Sequence, residues 1–132
     1  MKMVIGGAYQ GKIGFVRDTL GIIEENMING STCDFEELFT AVCIKSYHKA
    51  VARLLAEGVD PVAFTQRLCD KNTGAVIIMD EIGCGIVPIV KSERVRREAT
   101  GRCGCIIADR SEAVIRVICG IPTYIKGSPD ED

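Results

Sequence analysis

The chain has one histidine and no cysteine pair spaced C-x2-C, so the ligand sets of the common structural zinc sites are missing. The nearest approach is Cys103-Gly104-Cys105 together with His48. No apolar run is long enough to cross a bilayer, and the opening Met1-Lys2-Met3-Val4-Ile5 meets glycines before the core of a secretion signal could form. A cytoplasmic protein without a membrane partner is expected. Positive charge is not in surplus either: 16 Lys and Arg stand against 18 Asp and Glu, a net charge of -2, which leaves no field to hold a nucleic acid backbone. The seven cysteines are odd in number and spread along apolar segments, the pattern of free thiols rather than of a disulfide framework. No internal repeat is present.

What remains is ordinary globular material. A length of 132 residues with 47% apolar and 26% charged side chains fits one folded domain, assigned to residues 1–126, with a short disordered acidic tail over 127–132. Residues 2–5 form a short apolar run passing into Gly6-Gly7, the mark of a buried strand entering a loop, and a helix is expected from about Lys12. A short second strand falls within residues 21–32. Asp34 and Glu37 are spaced as a capping box, and Leu38, Phe39, Val42, Tyr47, Val51, Leu54 and Leu55 recur at helical spacing, which predicts one long amphipathic helix ending at Gly58. Asp60-Pro61 opens another helix, stopped at residues 72–74. Residues 75–79 are apolar without alternation, as in a strand covered on both faces of a parallel sheet, and Asp80-Glu81 follow at the edge where α/β proteins bind ligands. A helix over 93–108 and strands over 113–119 and 123–126 complete the pattern, with Pro122 placing the last strand near an edge. On the helix, Gly101, Gly104 and Ala108 form a small-residue stripe suited to packing on the sheet.

Gly6-Gly7-Ala8-Tyr9-Gln10-Gly11-Lys12 fits the first seven positions of G-x-x-x-x-G-K-[ST], between a strand and a helix as that motif requires. Its glycines let backbone N–H groups turn around a phosphate, the helix N-terminus adds partial positive charge, and Lys12 brings a mobile cation. Ile13 occupies the eighth position, where a hydroxyl would meet magnesium. The strand-end acids Asp80 and Glu81 are the candidates for reaching magnesium, directly or through water.

The run Asp80-Glu81-Ile82-Gly83-Cys84-Gly85-Ile86-Val87-Pro88, followed by Arg94, Arg97, Thr100-Gly101-Arg102, Cys119-Gly120-Ile121 and Ile125-Lys126, resembles the adenosylcobinamide kinase/adenosylcobinamide-phosphate guanylyltransferase family. That family carries an N-E-h-G-x-G-I-V-P signature together with a G-G-x-x-x-G-K opening. The likeness is good over residues 1–12 and 75–126, and weak over 13–74, a segment shorter than in full-length members. It implies an α/β, P-loop NTPase-like three-layer fold with a mainly parallel central sheet. It also implies a nucleoside triphosphate, ATP or GTP, with magnesium at a weakened site, and a corrinoid acceptor, adenosylcobinamide, whose hydroxyl is phosphorylated before GMP is attached. By position, Gly6, Gly7, Ala8, Tyr9, Gln10, Gly11, Lys12 and Ile13 would hold the nucleotide, Lys12 and Glu81 would act in catalysis, and Asp80 and Glu81 would hold metal. Gly83, Gly85, Val87 and Pro88 would shape the substrate loop, with Arg94 and Arg102 within reach of a triphosphate. An oligomer, a trimer by family likeness, would use the apolar face of the 35–57 helix.

Asp80 replaces the family's asparagine. The family's GMP-carrying histidine has no counterpart at the matching place, and His48, in register with Ile44, Val51 and Leu55, is expected to pack against the core or a neighbouring subunit. Kinase-type phosphoryl transfer is therefore the leading expectation. The alternatives are a nucleotide-binding module impaired by Ile13, and a scaffold whose glycine loop is only a turn.

Overall fold

The centre of the molecule is the first strand. In a computed structural model, which describes residues 1–81 and 90–129, β1 (Lys2–Gly6) runs parallel to β4 (Val76–Asp80) on one side and β5 (Ala113–Ile118) on the other. Outward from β4 come β3 (Cys43–Lys45) and β2 (Met27–Asn29), both parallel, while β6 (Ile121–Lys126) closes the far edge antiparallel to β5. The order β2-β3-β4-β1-β5-β6 makes one six-stranded, mainly parallel sheet.

Helices cover both faces, which is why the inner strands are apolar at consecutive positions. The α1 helix (Lys12–Thr19) buries Phe15 and Val16 on one face against Val4, Val76, Ile78, Ile115 and Val117. On the other face, α2 (Tyr47–Ala56), α3 (Pro61–Lys71) and α4 (Lys91–Arg110) cover Met3, Ile44, Ile77, Met79 and Val114. This is the α/β, three-layer, P-loop NTPase-like architecture. Asp60 caps α3 as its sequence predicts, accepting from the amides of Val62 and Ala63.

The long helix expected over residues 35–57 is not formed. Phe35–Phe39 is a short 3-10 turn, Cys43–Lys45 is β3, and α2 begins only at Tyr47. Glu37 does reach back to the Asp34 amide, at 3.3 Å, but it opens the 3-10 turn. Leu38, Tyr47, Val51 and Leu54 share a helix-like spacing because the turn and α2 both bury side chains into one cluster over the same sheet face. Ser46, with φ 57, breaks any helix running through it. A three-residue strand is too short to show alternation, so β3 left no periodic mark. Most of the apolar face invoked for an oligomer is therefore consumed inside the subunit: Leu38, Tyr47, Val51 and Leu54 are buried, while Val42 is exposed.

The small-residue stripe on α4 is realised only in part. Gly104 lies over the methyl groups of Met3 and Met79, whereas Gly101 faces open space. Of the tail, Gly127 sits against Glu112 and Ala113, and residues 130–132 lie outside the described residues. Among the described residues no helix is long and apolar enough to cross a membrane.

Candidate phosphate site

β1 ends at Gly6, and the chain turns through the glycine loop into α1. Gly6 must lack a side chain, since a Cβ there would collide with the Val117 carbonyl oxygen of β5. Gly11 holds φ 93 as the N-cap of α1, a conformation that favours glycine. Gln10 fixes the outside of the loop: its carbonyl accepts from the Gly120 amide at 2.8 Å and its Oε1 from the Cys119 amide at 2.7 Å. Cys119 and Gly120, both at positive φ, form the two-residue turn between β5 and β6, so the hairpin braces the loop. Among the described residues, no carbonyl takes the amides of Ala8, Tyr9, Gln10 or Gly11, and α1 has no side-chain cap. Its first-turn amides stay open for an anion.

Lys12 points back across this loop. Its Nζ donates to the Gly7 carbonyl at 2.6 Å and pairs with Asp80 Oδ1 at 2.8 Å, with only 8% of the side chain exposed. Asp80 arrives there because β4 pairs with β1 in the register Gly6 to Asp80. β3 pairs with β4 only as far as Ile77, and the Asp80 amide donates instead to His48 Nδ1 at 3.0 Å. Since Nδ1 accepts, the neutral ring carries its proton on Nε2, which lies 3.4 Å from Asp80 Oδ2. Burial holds the His48 pKa below its ordinary value, with Asp80 working in the opposite direction and Lys49, Lys12 and Arg96 adding to the depression. His48 is therefore a neutral strut for Asp80. It stands in the first turn of α2, not mid-helix, and its place is the site as much as the core.

A cavity of about 400 Å³ opens over this group. Ala8, Tyr9, Gln10, Gly11, Lys12, Ile13 and Gly14 form one wall, and Lys45, Ser46, His48, Lys49, Ile78 and Asp80 the other. Gly6 and Gly7 do not line it. Glu81 turns elsewhere: its carboxylate meets Arg116 Nε at 2.7 Å and Nη2 at 2.9 Å, while its amide donates to the Gly6 carbonyl. Among the described residues, neither Arg94 nor Arg102 lines the cavity, and Arg102 pairs with Glu98 one helical turn away. Gly83, Gly85, Val87 and Pro88 lie outside the described residues. Lys45, Ser46 and Lys49 carry no local mark of a ligand edge because β3 carries none, and His48 has the spacing of a core residue for the same reason. Once that strand is placed, residues at its carboxyl end are where a parallel sheet receives ligands.

The cavity suits a chain of phosphates, with open amides, a helix N-terminus and a cation at its floor. Magnesium is a different matter. Ile13 offers no oxygen and leans on the Phe15 and Val16 side of the core. Asp80 is the one carboxylate lining the cavity among the described residues, and Glu81 is held by Arg116. Among the described residues no three acids, histidines or cysteines converge. Among the described residues, one carboxylate and no hydroxyl at position 13 leave the expected metal site incomplete.

The family model described as cobinamide kinase / cobinamide phosphate guanyltransferase matches residues 18–125. The chain belongs to that family. Among curated proteins, none matches the chain. The cobinamide kinase / guanyltransferase match includes residues 18–74, where the motif-level likeness is weak, and begins beyond the glycine loop, so the loop stands on its own geometry. The family assignment brings with it transferase chemistry with nucleotides in cobalamin biosynthesis.

Proposed function

We propose that the chain is the kinase-type member of its family, binding ATP or GTP through residues 8–13 and passing the terminal phosphoryl group to a corrinoid alcohol, adenosylcobinamide. The observation that carries this reading is the contact of Lys12 with Asp80 at the mouth of the glycine loop. Incoming phosphates compete with Asp80 for Lys12. Once displaced, Asp80 is the one carboxylate lining the cavity among the described residues, and His48 keeps it oriented. In the transfer step the acceptor hydroxyl oxygen bonds to the terminal phosphorus, the bridging P–O bond breaks and the nucleoside diphosphate leaves. Asp80 takes the hydroxyl proton. Lys12 and the loop amides offset the charge on the transferring group.

A second reading, a nucleotide-binding module without turnover, is favoured by Ile13 and by the engagement of Glu81 with Arg116. One experiment separates the two. Phosphate transfer from ATP or GTP to adenosylcobinamide is measured beside nucleotide affinity, for the wild type and Lys12→Ala. Transfer that falls by about 100-fold or more in the variant supports the kinase. Wild-type affinity without transfer supports the binding module, and no affinity for either nucleotide refutes both.

A further inference from the structure

The mismatch with magnesium raises the question of what else balances phosphate charge, and the wall facing the glycine loop supplies an answer. β3 ends at Lys45, and Ser46, in the left-handed conformation, turns the chain so that the first turn of α2 lies over the cavity. Lys45 and Lys49 thereby line the side opposite Gly11, Lys12 and Ile13. Lys45 is half-buried and Lys49 exposed, and among the described residues neither has a carboxylate partner. Counting side chains, the cavity holds three lysines against the single carboxylate of Asp80, with His48 neutral, a net charge of two positive. Lys49 and Lys12, with Arg96, add to the burial that disfavours a proton on His48.

We propose that Lys45 and Lys49 form a second cationic wall which neutralises the polyphosphate chain of the ligand from the side opposite Lys12, so that phosphate binding here does not depend on a divalent metal. A lysine is suited to this as a mobile point charge with three donors. The proposal deepens the nucleotide reading and rests on it for the identity of the ligand, but the wall itself recognises only linked phosphates.

The test therefore uses inorganic tripolyphosphate as well as ATP and GTP, titrated calorimetrically in EDTA and again in magnesium. The proteins are the wild type, Lys45→Gln, Lys49→Gln and the double variant, with circular dichroism confirming the fold of each. Wild-type tripolyphosphate affinity in EDTA should be within about threefold of that in magnesium, each single variant should lose about fivefold and the double variant about 25-fold, as expected for one partly exposed charge pair each. Variants binding like the wild type, or wild-type binding only with magnesium, would overturn the cationic wall and leave the nucleotide reading standing. Tripolyphosphate binding that the variants weaken, without any ATP or GTP binding, would uphold the wall and refute the nucleotide. No binding of any of the three would refute both.

Discussion

Replacing Asp80 with asparagine should strengthen phosphate binding and weaken catalysis, two effects of opposite sign from one atom. Asp80 Oδ1 stands 2.8 Å from Lys12 Nζ. Coulomb attraction at that distance in an effective dielectric of about 20 is roughly 6 kcal/mol, most of it offset by the desolvation of both groups. With Asp80 about a quarter exposed, a net value of about 1–2 kcal/mol is reasonable. A phosphate must break that pair to reach Lys12. The amide of Asp80→Asn would keep the shape and, with its oxygen toward Lys12, an acceptor for that cation, while its NH2 replaces the oxygen near His48 Nε2 and the competing charge is removed, so tripolyphosphate affinity should rise about tenfold. The unliganded variant should melt at lower temperature, because the buried Lys12 then stands beside a neutral partner. Transfer to the acceptor should drop by about 100-fold or more, as the group receiving the proton is gone. Calorimetric titration, a thermal melt and a transfer assay on the same preparation read all three. Weaker phosphate binding in Asp80→Asn would refute the competition argument, whatever happened to turnover.

Three other perturbations have defined outcomes. His48 is held below its ordinary pKa of 6.5, so the unfolded chain takes up the proton first as pH falls; stability should decline below about pH 6.5, and His48→Gln should lose that component, which melts of both proteins from pH 7.5 to 5 would show. A Cβ on Gly30 would lie 2.6 Å from the Ser46 carbonyl oxygen, so Gly30→Ala should cost about 1–3 kcal/mol in urea unfolding, against little for Gly74→Ala, where nothing lies within 4 Å; equal effects would refute the packing account. The buried Tyr47 hydroxyl meets Thr65 Oγ1 at 2.7 Å, and Tyr47→Phe should lower stability by about 1 kcal/mol by leaving Thr65 with Cys103 as its side-chain partner, whereas an unchanged denaturation midpoint would mean that Cys103 satisfies the threonine by itself.

The glycine loop, the helix after it, the capped start of α3 and the apolar strand β4 could all be read from residues, because each depends on local chemistry: backbone conformation at glycine, an acceptor before proline, and double-sided burial. Lys12 and Asp80 were likewise legible as candidates, since the loop motif and a strand-end acid are local patterns, and the parallel register of β1 and β4 brings the two together. Which way the two adjacent acids face could not be read. Asp80 and Glu81 are neighbours in the chain, yet alternate side-chain direction and the position of Arg116 on β5 send one to Lys12 and the other away.

β3 belongs to the tertiary structure alone. Three residues carry no period, and Leu38, Tyr47, Val51 and Leu54 imitate a helix because the 3-10 turn and α2 bury them in one cluster. With β3 hidden, Lys45, Ser46 and Lys49 had no visible reason to stand at a ligand edge, and His48 read as a core residue. Sequence thus determined the half of the site whose chemistry is written in consecutive residues. Its opposite wall came from strand pairing, which only long-range contacts decide.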